Sequence, residues 1–179
     1  ARLIQRIPFD PFHYLISPHL SCMATIDEKG YCSCGAIEFS CKGDVKFNAL
    51  CHCKLCSRFA GVSPIHIVGV SPKATAFEIT KGADKLKTFI TPNGKFSIDS
   101  CSECSARLAQ GPTGADFRAI FPVVFHIEQG ERGCLLREDL KPKVHMNYEN
   151  RLYDHADDLT KFKEFGSSPK MDNSGKIIE

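Results

Sequence analysis

Between residues 36 and 41 apolar and polar side chains alternate: Ile37, Phe39 and Cys41 fall on one face, Glu38 and Ser40 on the other. That period of two predicts a half-buried β-strand. Gly43-Asp44 is the expected turn, after which Val45, Phe47 and Ala49 resume the alternation and bring Cys51 to a strand end. Residues 64–70 are apolar and β-branched enough for a buried strand, and residues 77–80 predict another. Residues 85–99 have the pattern of a hairpin, with Leu86, Thr88 and Ile90 leading in, Pro92-Asn93-Gly94 turning, and Phe96 and Ile98 leading out. The apolar stretch 119–127 contains Pro122, which places it at an edge or a bulge, and residues 129–133 predict a turn. Only residues 157–165 carry helical spacing, two acids preceding Leu159, Phe162 and Phe165. The pattern predicts a mainly β fold with one short C-terminal helix. Residues 1–29 form an N-terminal extension, 30–165 the domain, and the polar segment 166–179 a disordered tail.

Composition narrows the class. A chain of 179 residues suits a single domain with a real core. No apolar run approaches the roughly 18 residues that span a bilayer, so no membrane association is expected. The formal charge is +2 with neutral thiols, and seven metal-bound thiolates with two zinc ions would bring it to about −1. No basic surface for nucleic acid is expected. Residues 1–22 hold Arg2, Arg6 and a short apolar stretch broken by His13 and followed by Pro18, a poor secretory signal. They are read as an upstream extension or a targeting arm, with Met23 opening the stretch before the first cysteine pair.

The ten cysteines decide the chemistry. Cys32 and Cys34, then Cys51, Cys53 and Cys56, then Cys101 and Cys104, form three short clusters. Spacings of Cys-x-Cys and Cys-x-x-Cys suit tetrahedral zinc coordination in a reducing compartment better than scattered disulfides, which points to a cytoplasmic protein. Two pairs and a triplet divide as four plus three. Cys32, Cys34, Cys101 and Cys104 would close one zinc site and hold shut a loop of nearly seventy residues. Cys51, Cys53 and Cys56 would bind a second zinc with an open position for a thiolate, a water or a carbonyl oxygen, and so form the catalytic group. His52 is a fourth ligand or a proton carrier, although a residue between two ligands usually points away. His66, His126 and His145 are alternative sources of a fourth ligand in a purely structural site. Lys54 and Arg58 are the nearest contacts for an anionic substrate. Cys22, Cys41 and Cys134 are left as free thiols, Cys41 as a small core residue. No local motif supports a Ser-His-Asp centre or a phosphate-binding glycine loop.

The run Gly30-Tyr31-Cys32-Ser33-Cys34-Gly35, the run Cys51-His52-Cys53-Lys54-Leu55-Cys56 with Gly61 after it, and Cys101-Ser102-Glu103-Cys104 together resemble the glutathione-dependent formaldehyde-activating enzyme family, which includes centromere protein V. Pro142-Lys143-Val144-His145 is a weaker echo of the same family. The resemblance implies an Mss4-like β fold, the same four-plus-three division of zinc ligands, and carbon–sulfur lyase-type chemistry in which formaldehyde and glutathione give S-(hydroxymethyl)glutathione. Glutathione would be a co-substrate. The chain departs from the family at Ser105, where Gly often follows the last cysteine, and at Ser57, where a basic or amide residue often follows the triplet. Two other readings follow: an enzyme of the same fold acting on another small carbonyl, thioether or specialised-metabolite substrate, and a non-catalytic zinc-binding interaction module.

Overall fold

The structure, a computed structural model, describes residues 24–126 and 136–178. Its scaffold is one mainly antiparallel sheet of Mss4-like type built around an unusually long strand, β2 (Glu38–Cys51). The first half of β2 pairs with β1 (Thr25–Tyr31) on one edge and β4 (Glu78–Lys81) on the other. Its second half pairs with β3 (Ile65–Ser71) and, in parallel, with the short β9 (Val144–Met146). From β3 the sheet continues through β8 (Arg118–Ile120), β7 (Arg107–Pro112), β6 (Phe96–Cys101) and β5 (Leu86–Ile90). From β9 it continues through β10 (Thr160–Phe162) and β11 (Lys170–Met171).

The alternation expected over 36–41 is present, with Ile37, Phe39 and Cys41 buried. Gly43-Asp44 is not a turn. The strand runs on, bending at a register shift between Val45 and Phe47. Glycine is required at 43 because the Ser71 carbonyl oxygen lies 2.2 Å from where a Cβ would stand. The hairpin over 85–99 forms with Ile90 opposite Ser97. The strand expected over 119–127 stops at Ile120, Pro122 opening a short 3-10 turn (Pro122–Val124), and β8 lies inside the sheet rather than at its edge. Residues 127 and 129–133 lie outside the described residues.

Two C-terminal expectations are overturned. Residues 157–165 are not helical: Thr160–Phe162 forms β10, because its backbone finds strand partners on both sides and Lys161 is drawn inward to Asp157. Residues 166–178 are not a loose tail. They return as β11 against β10, and the Asn173 carbonyl accepts a hydrogen bond from the buried Tyr148 hydroxyl at 2.8 Å. Polar composition underestimates order when the backbone itself supplies the pairing.

The sheet separates two cores. Val68, Val70 and Ile120 face Ile26, Ile37, Phe39 and Leu108, while Ile65, Ile67, Ala119 and Phe121 face Ala49, Cys51, Cys56 and Met146. Burial on both faces explains why β3 lacks polar alternation. Within the sheet, Arg118 donates to Ser97 Oγ at 2.8 Å and to the Asp99 carboxylate, which also accepts from Thr88 Oγ1 at 2.7 Å. Both ionic side chains are buried. Asp99→Ala should cost about 3–5 kcal/mol in urea denaturation, since it strands a buried guanidinium, whereas replacing Asp99 and Arg118 together by apolar residues of similar volume should cost clearly less.

Candidate functional site

The structure gathers the seven clustered cysteines into two groups, one associated with each core. Cys32 and Cys34 occupy the turn between β1 and β2, and Cys101 and Cys104 flank the turn between β6 and β7. Their four sulfurs lie within 4.8 Å of one another, with Cys32–Cys34 at 3.5 Å and Cys34–Cys101 at 3.9 Å. The two turns are built alike. Gly35 donates its N–H to the Cys32 carbonyl and Ser105 donates to the Cys101 carbonyl, both at 2.9 Å. Both residues adopt left-handed backbone, φ 72° and φ 60°. Backbone N–H groups also face sulfur: Ile37 donates to Cys32 Sγ at 3.2 Å, and the Ala106 N–H, against a smaller effect of burial, holds the Cys104 thiol down at about 6. Four thiols converging from two turns fit a closed tetrahedral metal site.

The second group is Cys51, Cys53 and Cys56, also within 4.8 Å. Cys51 ends β2, and the chain then enters a helix that the sequence pattern did not predict, α1 (Lys54–Ala60). Cys53 is its N-cap, its sulfur accepting from the Cys56 N–H at 3.2 Å. Side-chain N–H groups reach the other two sulfurs: Asn147 Nδ2 points to Cys51 Sγ at 3.7 Å and Gln110 Nε2 to Cys56 Sγ at 3.2 Å. Hydrogen bonds from the Cys51 and Cys56 thiols, opposed by burial and reinforced by the N–H groups of Cys56 and Leu55, hold Cys53 at about 3. The same contacts push Cys56 up, and the bond to Cys53 foremost raises Cys51 to about 12. Of the three thiols, Cys53 is therefore the one that gives up its proton most readily. A bound metal ion would release the remaining protons.

Among the described residues no fourth His, Cys, Asp or Glu joins this triplet. His52 turns away from it into a buried chain. Asp157 Oδ2 accepts from His145 Nε2 at 2.9 Å, so His145 Nδ1 is an acceptor and takes the His52 Nε2 proton at 2.8 Å. Burial keeps both rings neutral, His52 at about 3. Lys161 closes the chain at 2.7 Å from Asp157 Oδ1. Burial would raise Asp157, but Lys161 and His145 outweigh it and hold the carboxyl at about 2. His145, His155 and Asp157 also approach within 4.8 Å of one another, yet the Lys161 ammonium already answers this carboxylate. His66 instead donates to Asn48 Oδ1 at 2.7 Å, and the ring of His126 lies edge-on to Tyr31.

Lys54 and Arg58 stand exposed on α1. Cys41 is fully buried, and burial, with Glu28 and Asp27 nearby, raises its thiol to about 12. Cys22 and Cys134 lie outside the described residues. Asn147, Gln110 and Asp157 belong to the surroundings of the triplet but carry no sequence signal. They reach it from distant strands and turns, while His145, marked by the echo 142–145 and as an alternative fourth ligand, lies instead between His52 and Asp157.

A family model described as glutathione-dependent formaldehyde-activating enzyme matches residues 27–150. No curated protein matches. Among solved structures, a Rhodobacter sphaeroides protein determined as a structural-genomics target aligns with 16% identity and a TM-score of 0.44, over 58% of this chain and 92% of that one. None of the described helices is long and apolar enough to cross a membrane.

Two measurements bear on the site. Cys101→Ala should lower the melting temperature of the metal-loaded protein by on the order of 10 °C more than Cys53→Ala, because it opens the group that ties two distant turns; equal melting would contradict separate roles. Burial also pushes His66 down to about 4, below its value near 6.5 in the unfolded chain. The unfolded state then binds the extra proton between those values, so stability falls as pH drops through that window. His66→Gln should remove about one proton from the uptake measured by urea unfolding at pH 7 and pH 5.

Proposed function

We propose, on the premise that this chain belongs to the glutathione-dependent formaldehyde-activating enzyme family, that it is a zinc-dependent enzyme of the carbon–sulfur lyase type. Its reaction would join formaldehyde and glutathione as S-(hydroxymethyl)glutathione. The family places the chemistry in formaldehyde and glutathione metabolism with small-molecule substrates. The observation that carries the finer reading is the contrast between the two thiol groups. Cys32, Cys34, Cys101 and Cys104 supply four donors, enough to close a zinc site, while Cys51, Cys53 and Cys56 supply three.

Sulfur-only donors fit zinc, a borderline-soft ion that prefers tetrahedral thiolate. Bound at the triplet, zinc would supply Lewis acidity toward a thiol or a carbonyl oxygen. The chain's own residues do the rest. The N–H groups of Gln110, Asn147 and Cys56 disperse negative charge on the three sulfurs and fix their directions. The chain from His52 through His145 to Asp157 anchors the segment between Cys51 and Cys53, so that two donors cannot swing independently. In the reaction the substrate sulfur forms a bond to the carbonyl carbon, the carbonyl π bond opens, and the thiol proton ends on the new hydroxyl. No electron leaves the pair of substrates.

The test is adduct formation followed by NMR with ¹³C-formaldehyde and glutathione, above the uncatalysed rate. The zinc-loaded protein should accelerate it, and Cys53→Ala should fall to the background rate while keeping its circular dichroism and its closed-site metal. Unchanged acceleration in that variant would overturn the reading. Turnover of a different carbonyl without glutathione would favour the same fold serving another substrate.

A further inference from the structure

Among the described residues Arg107 forms no ion pair with a carboxylate. It opens β7, where the register slips between Asp99 and Ser100, so that Ser100 faces Arg107 while Asp99 faces Ala109. The slip frees Arg107 from the alternation of its strand. Its Nη1 and Nη2 are shielded from water and have no hydrogen-bond partner among the described residues. The guanidinium instead lies 5.3 Å from the Phe59 ring centre and 5.7 Å from that of Phe121. Aromatic faces attract a guanidinium, but they do not replace the hydrogen bonds its planar fork would make in water. Burial accordingly lowers its pKa, and a thiolate at Cys56 would act in the opposite direction, so the guanidinium lies within electrostatic reach of the triplet.

Arg107 and Phe59 also line a cleft of about 330 Å³, whose other walls include Lys87, Phe89, Ser100, Cys101 and Ser105, so that it runs from α1 to the turn of the four-sulfur group. Phe59 rests against Phe89, ring centres 5.3 Å apart, and both rings stay substantially exposed, at 39% and 43%. Phe59 follows Cys56 by three residues on α1, so the same helix carries a triplet ligand and a wall of the cleft. Two further buried polar atoms near Cys56 have no hydrogen-bond partner among the described residues: Ser57 Oγ, and Oε1 of Gln110, whose Nε2 donates to the Cys56 sulfur. Of these unpaired groups only Arg107 lines the cleft, and a buried guanidinium at the wall of a cleft with aromatic sides is what an anionic ligand would satisfy.

We propose that this cleft is a subsite for the carboxylate of the small-molecule substrate. Arg107 would be the group that takes the carboxylate as a bidentate pair once the Phe59 ring turns aside, and Phe59 and Phe89 would hold the apolar part. The inference rests on the triplet being the reacting centre. It makes the preferred substrates small carboxylated thiols or carbonyls, and it moves substrate recognition from Lys54 and Arg58, on the exposed side of α1, to β7.

The test measures binding, apart from turnover, on the full metal-loaded chain by NMR titration. The probes are phenylacetate, its neutral amide phenylacetamide, and S-methylglutathione, whose sulfur cannot ionise. Phenylacetate should bind saturably and more tightly than the amide. Arg107→Met should weaken it roughly tenfold or more, with Arg107→Lys intermediate because it keeps the charge without the fork. Melting temperatures of both variants establish that they fold, and Arg107→Lys preserves the comparison if Arg107→Met does not. Equal binding of acid and amide, no saturable phenylacetate binding, undiminished binding in folded Arg107→Met or Arg107→Lys, or a loss confined to Lys54→Ala/Arg58→Ala would each overturn the subsite. Phenylacetate binding that depends on Arg107, with no binding of S-methylglutathione, would leave the subsite standing and remove glutathione as the substrate.

Discussion

Four sulfurs drawn from two turns 67 residues apart, Cys34 to Cys101, must converge within 4.8 Å for this sheet to have its shape. The turn between β1 and β2 belongs to one part of the sheet and the turn between β6 and β7 to another, and the strands between them pair through β3 and β8. Thiolates packed this closely repel one another unless a cation stands among them. The convergence is therefore both a covalent-scale constraint on topology and an electrostatic demand. The matching geometry of the two turns, with left-handed backbone at Gly35 and Ser105, keeps each pair of sulfurs on the inside of its own bend. Ser105 shows how strong that demand is, since a side chain at φ 60° is disfavoured and glycine would avoid the cost.

The sheet converts this constraint into a division of labour. Because β3 and β8 are buried on both faces, one face can hold the core that packs Cys32 and Cys101 while the other holds the core that packs Cys51 and Cys56. The long strand β2 links them: it begins six residues after Cys32, at Glu38, and delivers Cys51 at its far end. The short helix α1 can then present Cys53 and Cys56 in one turn. A longer excursion would add backbone freedom between donors that need fixed directions.

Much of this was legible in the residues. The hairpin over 85–99, the half-buried start of β2 and the three cysteine clusters are local patterns, and local patterns are what periodicity and spacing record. The failures share another cause. Gly43 looked like a turn because a close approach by the Ser71 carbonyl, rather than a change of direction, demands glycine there. Residues 157–165 had helical spacing, but β9 and β11 offered strand partners, and pairing with distant backbone outweighs propensity in so short a segment. The donors to the triplet, Gln110 and Asn147, were invisible because each meets its sulfur only after separate elements have paired. Lys54 and Arg58 are near the triplet in sequence, whereas Arg107 comes near it only in space.

The triplet differs from the four-sulfur group in what surrounds it as much as in its count of donors. Among the described residues a guanidinium, a hydroxyl and an amide oxygen near Cys56 are buried and unpaired; on the other side His52, His145, Asp157 and Lys161 are linked end to end by hydrogen bonds, with His52 Nδ1 and His155 Nε2 left without a partner there. Unpaired buried polar groups cost stability, and a chain selected only for folding would pair them or replace them with apolar residues. The arrangement is economical if the linked side chains hold the donors rigid and the unpaired guanidinium meets a visiting molecule. Rigidity and incompleteness then serve one purpose: the sulfurs are fixed before binding, and the remaining hydrogen bonds form only when a suitably charged partner arrives.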